Sequence, residues 1–147
     1  MYFVSIRTTL VSKTRVVLLM MYFWVILGGG IGTALRFLAS GLISRYFGEV
    51  FPLGTLCVNV SGCFTIGLFA SLTRPDGIYM ASPEFRHFIM TGILGGYTTF
   101  SSFSLQTLYL ANDGQWLYAT LNAILSLLLC LIAVWLGQVG ASFLAGR

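Results

Sequence analysis

FRHFIMTGILGGYTTFSSFSLQTLYL, residues 85–110, is long enough to cross a bilayer, yet its middle is unlike an ordinary spanning helix. A spanning helix takes about 20 predominantly apolar residues. Here Gly95 and Gly96 are followed by four hydroxyls, on Thr98, Thr99, Ser101 and Ser102, and by Phe100 and Phe103. Glycine costs about 1 kcal/mol against alanine inside a helix, so the pair weakens the segment at its centre. The hydroxyls can bond freed backbone groups or cap a restarted helix. A break at bilayer depth is tolerated only where it is buried in protein or lines a cavity, and bare carbonyls at such a break can face a cation. The segment therefore predicts a membrane helix broken across Gly95 to Thr98. Phe100 and Phe103, three apart, share a helix face. The pair reads either as packing or as ring edges, which carry partial positive charge, presented to an anion.

Three further apolar stretches flank this one, at about 20–43, 52–72 and 116–143. SRYFGEV, TRPDGIYMASPE and ANDGQ connect the stretches, with the Gly, Pro, Asp and Asn of ordinary turns. The chain is 57% hydrophobic and only 8% charged, with a mean hydropathy of +0.90. A soluble domain carries about 25% charged residues. Only helices or closed barrels satisfy their backbone in lipid, and these runs are too continuous for alternating barrel strands. The expected fold is an all-α membrane protein of four transmembrane helices with the third broken in the middle.

Residues 1–19 carry Arg7, Lys13 and Arg15 and read as an N-terminal extension to a membrane domain at 20–147. The apolar run after them is long and no A-x-A-like site follows, which argues against a cleaved signal. Met20 and Met21 would also serve as starts, and a shorter product beginning there is the expected main species. The net charge of +4 is no nucleic-acid signal, because the basic residues are scattered and mostly flank spans. Arg74, Arg86 and Arg147 fall on the side of the N-terminus and Arg45 on the other. With the extension, the positive-inside rule puts both termini in the cytoplasm; without it the preference is much weaker.

The carboxylates Glu49, Asp76, Glu84 and Asp113 all lie in loops or at span ends. A proton-coupled transporter needs an intramembrane carboxylate or histidine, and His87, near the start of the third span, reads as interfacial. No residue set supports an intramembrane hydrolase or metal enzyme, so no enzymatic activity is expected. Cys57, Cys63 and Cys130 form no metal-binding spacing and read as small packing residues.

What the spans do hold is neutral polarity and one cation. Gly28, Gly32, Arg36 and Ser40 recur at steps of four in GGGIGTALRF, on one helix face. The glycines match the small-xxx-small pattern of closely packed membrane helices. Arg36 either snorkels to an interface or makes the mouth of a water-filled cavity positive. In GTLCVNVSGCFTIG, Thr55, Asn59 and Gly62 share a face, and Asn59 is either a helix–helix hydrogen-bonding residue or a pore-lining donor. In the fourth span Tyr118, Asn122, Ser126 and Cys130 form a polar stripe at steps of four.

GGGIGTALRF, GTLCVNVSGCFTIG and GILGGYTTFSSFS, in that order across four short spans, resemble the Fluc/CrcB family of fluoride channels over about residues 21–137. The resemblance implies an antiparallel, dual-topology homodimer with two fluoride pores, each built from both subunits. It implies a pore asparagine at Asn59 and pore phenylalanines at Phe100 and Phe103. A polar track would use Thr99 and Ser102 on the third span and Ser126 on the fourth, with Asn122 or Tyr118 in the place of the family's tyrosine. The family's first-span arginine matches Arg36. A structural sodium ion at the dimer centre would be held by backbone carbonyls that fall on Gly95 and Thr98. Tyr97 departs from the small aliphatic residue expected there.

The implied function is passive export of cytoplasmic fluoride across a bacterial inner membrane. Fluoride is strongly hydrated, so a pore must replace its water with donors weak enough to release it. Neutral amides, hydroxyls and ring edges suit that need. Two other classes compete with this reading. A small multidrug-type transporter shares four short spans but requires a buried glutamate, which the first span lacks. A structural membrane subunit requires the polar stripes to serve packing alone.

Overall fold

The computed structural model describes the backbone at residues 2–48, 50–75 and 77–146, and side chains at those positions from 15 onward. The side chains of Arg7 and Lys13, and Glu49, Asp76 and Arg147, lie outside the described residues. The chain is all helical. Helix α1 is Tyr2–Phe47 and α2 is Leu53–Leu72. Helix α3, residues 83–97, is continuous but mixed. It opens with an α-turn at Pro83–Arg86, widens to a π-helix at His87–Leu94, and closes with Gly95–Tyr97. Helix α4 is Phe100–Asn112 and α5 is Trp116–Leu144.

Among the described residues, three segments are long and apolar enough to cross a membrane unaided: Arg15–Phe47, Leu53–Leu72 and Trp116–Leu144. The segment between the last two is divided into α3 and α4, each too short to cross alone. The division falls at Thr98 and Thr99, later than the glycine pair suggested. Gly95 and Gly96 stay helical. Their bare backbone serves approach rather than rupture, at least at Gly96, where a Cβ would meet the Gly29 carbonyl at 2.6 Å.

The same device runs along the whole contact of α1 with α3. A Cβ on Gly28 would sit 2.6 Å from the Phe88 carbonyl oxygen, and one on Gly32 would overlap the Ile93 carbonyl. Gly92 answers from α3, with the Gly28 Cα 2.9 Å from where its Cβ would be. These are small residues at steps of four on both helices, and they let two backbones touch. The π-helical stretch of α3 coincides with this contact. Helices α2 and α5 repeat the pattern, Gly67 lying on the Val134 carbonyl and Gly137 on the Phe64 carbonyl.

The helix ends are secured locally. Ser82 caps α3 by accepting from the Phe85 amide at 3.2 Å, with Pro83 in the first turn. Arg86 donates to both the carbonyl and the hydroxyl of Thr73, which follows the last residue of α2. A cation there complements the negative end of a helix. Gly114, at φ +74°, makes the turn from α4 to α5. The interior is small and partly polar: Val58, Ala119, Ala133 and Ala141 are buried beside Thr55, Asn59, Asn122 and Ser126. The large apolar side chains of α1 and α5 point outward, as a lipid solvent requires.

Candidate functional site

The site is built around two extended residues. Thr98 (φ −81°, ψ 157°) and Thr99 (φ −152°, ψ 116°) leave the helical ladder between α3 and α4. Asn59 of α2 takes up what they release. Its Nδ2 donates to the Thr99 carbonyl at 3.0 Å, and its Oδ1 accepts from the Thr99 amide at 2.8 Å. The Thr99 amide would otherwise bond the Gly95 carbonyl in a continuous helix. Thr99 then caps α4, its Oγ1 accepting from the Ser102 amide at 3.2 Å and donating to the Ser102 hydroxyl at 3.1 Å. The Thr98 amide stays bonded to the Leu94 carbonyl at 3.0 Å. The Thr98 carbonyl accepts from Arg36 Nη1 at 3.3 Å.

Two cavities border this break. The first, about 260 Å³, is lined by Asn59, Thr98, Thr99, Phe100, Phe103 and Ser126, together with Cys63, Leu127 and Cys130. No charged side chain among the described residues lines it. The Phe100 and Phe103 rings stand 5.2 Å apart, tilted at 57°, and Phe100 is 80% exposed on the single chain. The second cavity, about 340 Å³, is polar and includes Arg36, Ser40, Thr55, Thr99, Ser102 and Gln106. Among the described residues, Arg36 is its one charged lining residue. Thr99 lines both cavities. Arg36 lines the polar cavity. Ser40 follows one turn on and donates to the Arg36 carbonyl at 2.7 Å.

The polar stripe of α5 is split between different surroundings. Asn122 is buried behind Ser126 and does not line the first cavity. Its Nδ2 donates to Thr107 Oγ1 at 2.8 Å, and Ser126 Oγ donates to its Oδ1 at 3.5 Å. Thr107 in turn donates to the Phe103 carbonyl at 2.8 Å. A chain of neutral polar groups therefore runs from Ser126 to the backbone of a cavity phenylalanine. Tyr118 is turned outward, its ring edge-on to Phe51 at 6.1 Å. Tyr97 finds its place beside α2: its hydroxyl is 3.1 Å from that of Ser61, and its ring and the Thr98 methyl lie against Gly62.

Cys130 already stood in the polar stripe read from the sequence, whereas Cys63 and Gln106 were passed over although the same helical step could have found them. Cys63 is one turn beyond Asn59 and Cys130 one turn beyond Ser126, and both face the cavity. Gln106 is one turn beyond Ser102 in the polar cavity, with its buried Oε1 unbonded. Thr107 gives no such signal, because only the tertiary contact with Asn122 singles it out. His87 is exposed and has Thr91 3.4 Å away, in keeping with an interfacial residue. Neither Glu84 nor Asp113 lines the first or the polar cavity.

The family model described as CrcB-like protein, Camphor Resistance (CrcB), matches residues 23–138. The chain belongs to the CrcB family. It is 55% identical over 121 residues to the fluoride-specific ion channel FluC of Opitutus terrae, covering 82% of this chain and 92% of that one. It is likewise 55% identical over 122 residues to the FluC of Rhodospirillum rubrum, covering 83% and 95%. The FluC of Paramagnetospirillum magneticum is 53% identical over 123 residues, covering 84% and 96%. The CrcB match spans every helix that contributes to the two cavities, and the chain is a multi-pass membrane protein.

Proposed function

We propose that this chain is a fluoride-selective passive channel that exports cytoplasmic fluoride across a bacterial inner membrane. The observation that carries the reading is that two unlike cavities share Thr99 in their walls. The polar one supplies a positive mouth through Arg36, which attracts an anion. The uncharged one supplies the Asn59 amide, the Ser126 and Thr99 hydroxyls and the rings of Phe100 and Phe103. Asn59 Nδ2 carries a second N–H beyond the one given to Thr99. Donors of this kind offset fluoride dehydration without the deep well of a fixed charge, so the ion can leave. The channel names of its relatives support the same reading.

The channel works as an antiparallel homodimer of four-span subunits, with α3 and α4 together making the third span. A half-open cavity with Phe100 at its edge suits a wall completed by a second copy. Two chains then give two pores. Thr99, Ser102 and Ser126 line them, and Asn122 acts through Ser126. A structural sodium ion fits the break in chemical type. The Gly95 carbonyl has lost the Thr99 amide, and the Thr98 carbonyl keeps a second lone pair beside its Arg36 bond. These two carbonyls from each copy would hold it, and the ion would brace the subunits together.

Selectivity tests the function. Vesicles containing the purified protein are loaded with fluoride or with chloride and followed with ion-specific electrodes. Fluoride efflux well above that of empty vesicles, with chloride efflux at background, is expected. Equal release of both halides, or of neither, contradicts a fluoride channel.

A further inference from the structure

The uncharged cavity contains a pair of groups that anion passage does not require. Cys63 stands four residues after Asn59 on α2, and Cys130 four residues after Ser126 on α5. One helical turn keeps each on the face of its predecessor. Both thiols accordingly line the cavity that holds Phe100 and Phe103. The two thiols neighbour one another there. Neither is in a disulfide. The third cysteine, Cys57, is exposed and lines no part of this cavity.

The chemistry of such a pair is narrow. No cluster of three or more metal-ligating side chains exists among the described residues, so the four ligands of a structural zinc site are lacking there. Two sulfurs on the wall of one uncharged cavity suit a soft ion that accepts two ligands, and thiolates select soft metals. We propose that Cys63 and Cys130 form a two-thiolate site for a soft cation of the mercuric, silver or cuprous class, and that filling it closes the cavity to anions. In the binding step two S–H bonds break, two metal–sulfur bonds form and two protons leave to water. No electron is transferred. Mercuric ion leaves the site neutral, whereas silver or cuprous ion leaves it with one negative charge. Bulk obstructs an anion in both cases, and charge repels it as well in the second.

The flux arm of the test rests on the fluoride reading, but the binding arm does not. Full-length protein in detergent receives one equivalent of mercuric chloride and is then washed with a monothiol. Two thiols held together retain the ion by effective concentration where one thiol loses it. Intact mass under non-denaturing conditions counts the mercury. Wild type and Cys57→Ala are expected to keep one mercury per chain, and Cys63→Ala and Cys130→Ala none. Cys63→Ser, close in volume, serves beside Cys63→Ala, and circular dichroism separates a lost site from a lost fold. Retention unchanged in folded Cys63 and Cys130 variants, or absent from wild type, overturns the site. In vesicles, mercuric ion should slow fluoride efflux at least tenfold for wild type and Cys57→Ala and leave Cys63→Ala unslowed. Mercury retained with efflux undiminished overturns its position in the path. Absence of any efflux before mercury is added counts against the fluoride reading alone, and the mass measurement still decides the thiol pair.

Discussion

Asn59 reaches across 40 positions of chain to hold both backbone groups of Thr99. A buried amide or carbonyl left without a partner costs about 1–3 kcal/mol. Asn59→Ala removes both partners at once, and recovery of a Thr99–Gly95 bond offsets part of the loss. The expected result is a destabilisation on the order of 2 kcal/mol, read from thermal unfolding in micelles, together with loss of fluoride efflux. Asn59→Asp should act in the same direction, because a carboxylate cannot donate to the Thr99 carbonyl. An unchanged unfolding midpoint in both variants would show that the break holds without its clamp. The need of Asn59 for a partner was legible in the sequence, since an unpaired amide in mid-span is costly. The identity of that partner was not, because nothing along one chain says which backbone comes within 3 Å. Tyr97 shows the same limit. It is explained by Ser61, on another helix, and by the missing side chain of Gly62.

Among the helices, α3 and α4 show how far local rules reach. Two glycines before four hydroxyls announced a weak point, and Thr99 as a cap was readable from its type. The position of the break was set instead by tertiary contacts. Gly96 is held in helix against α1 at the Gly29 backbone, while Asn59 draws the Thr99 amide aside. Neighbouring glycines therefore differ in what they tolerate. A Cβ on Gly95 meets only the Met90 carbonyl at an ordinary 3.7 Å, whereas one on Gly96 meets the Gly29 backbone at 2.6 Å. Gly95→Ala should be neutral or stabilising by up to about 1 kcal/mol, from helix propensity. Gly96→Ala should destabilise by about 1–3 kcal/mol, the usual cost of overpacking. Unfolding midpoints of the two variants check this. Equal effects would mean that α1 and α3 are not in backbone contact. The π-helical stretch within α3 had no sequence signal: its residues, HFIMTGIL, are ordinary for a membrane helix.

For the whole molecule, composition announced a membrane protein and the turn residues bounded its segments well. The helix α1 extends from Tyr2, so the proposed boundary at residue 20 falls within a helix rather than at its end. The family match begins at residue 23, and no described residue before Val25 lines a cavity or meets a glycine contact of α3. A chain of residues 20–147 is accordingly expected to retain fluoride efflux, measured in vesicles beside the full chain; loss of efflux would assign residues 1–19 a working part. The assembly is the level least visible in one sequence, because each proposed pore requires two copies. Phe100, exposed at the cavity edge, is where a second copy and the permeating ion would meet. The most direct test is the initial rate of fluoride efflux from vesicles containing wild type or Phe100→Ile, with the dimer verified by native mass for both. The account predicts rapid efflux for wild type and a rate at least tenfold lower for an intact Phe100→Ile dimer. Equal rates from the two intact dimers would contradict a fluoride path along the phenylalanine rings.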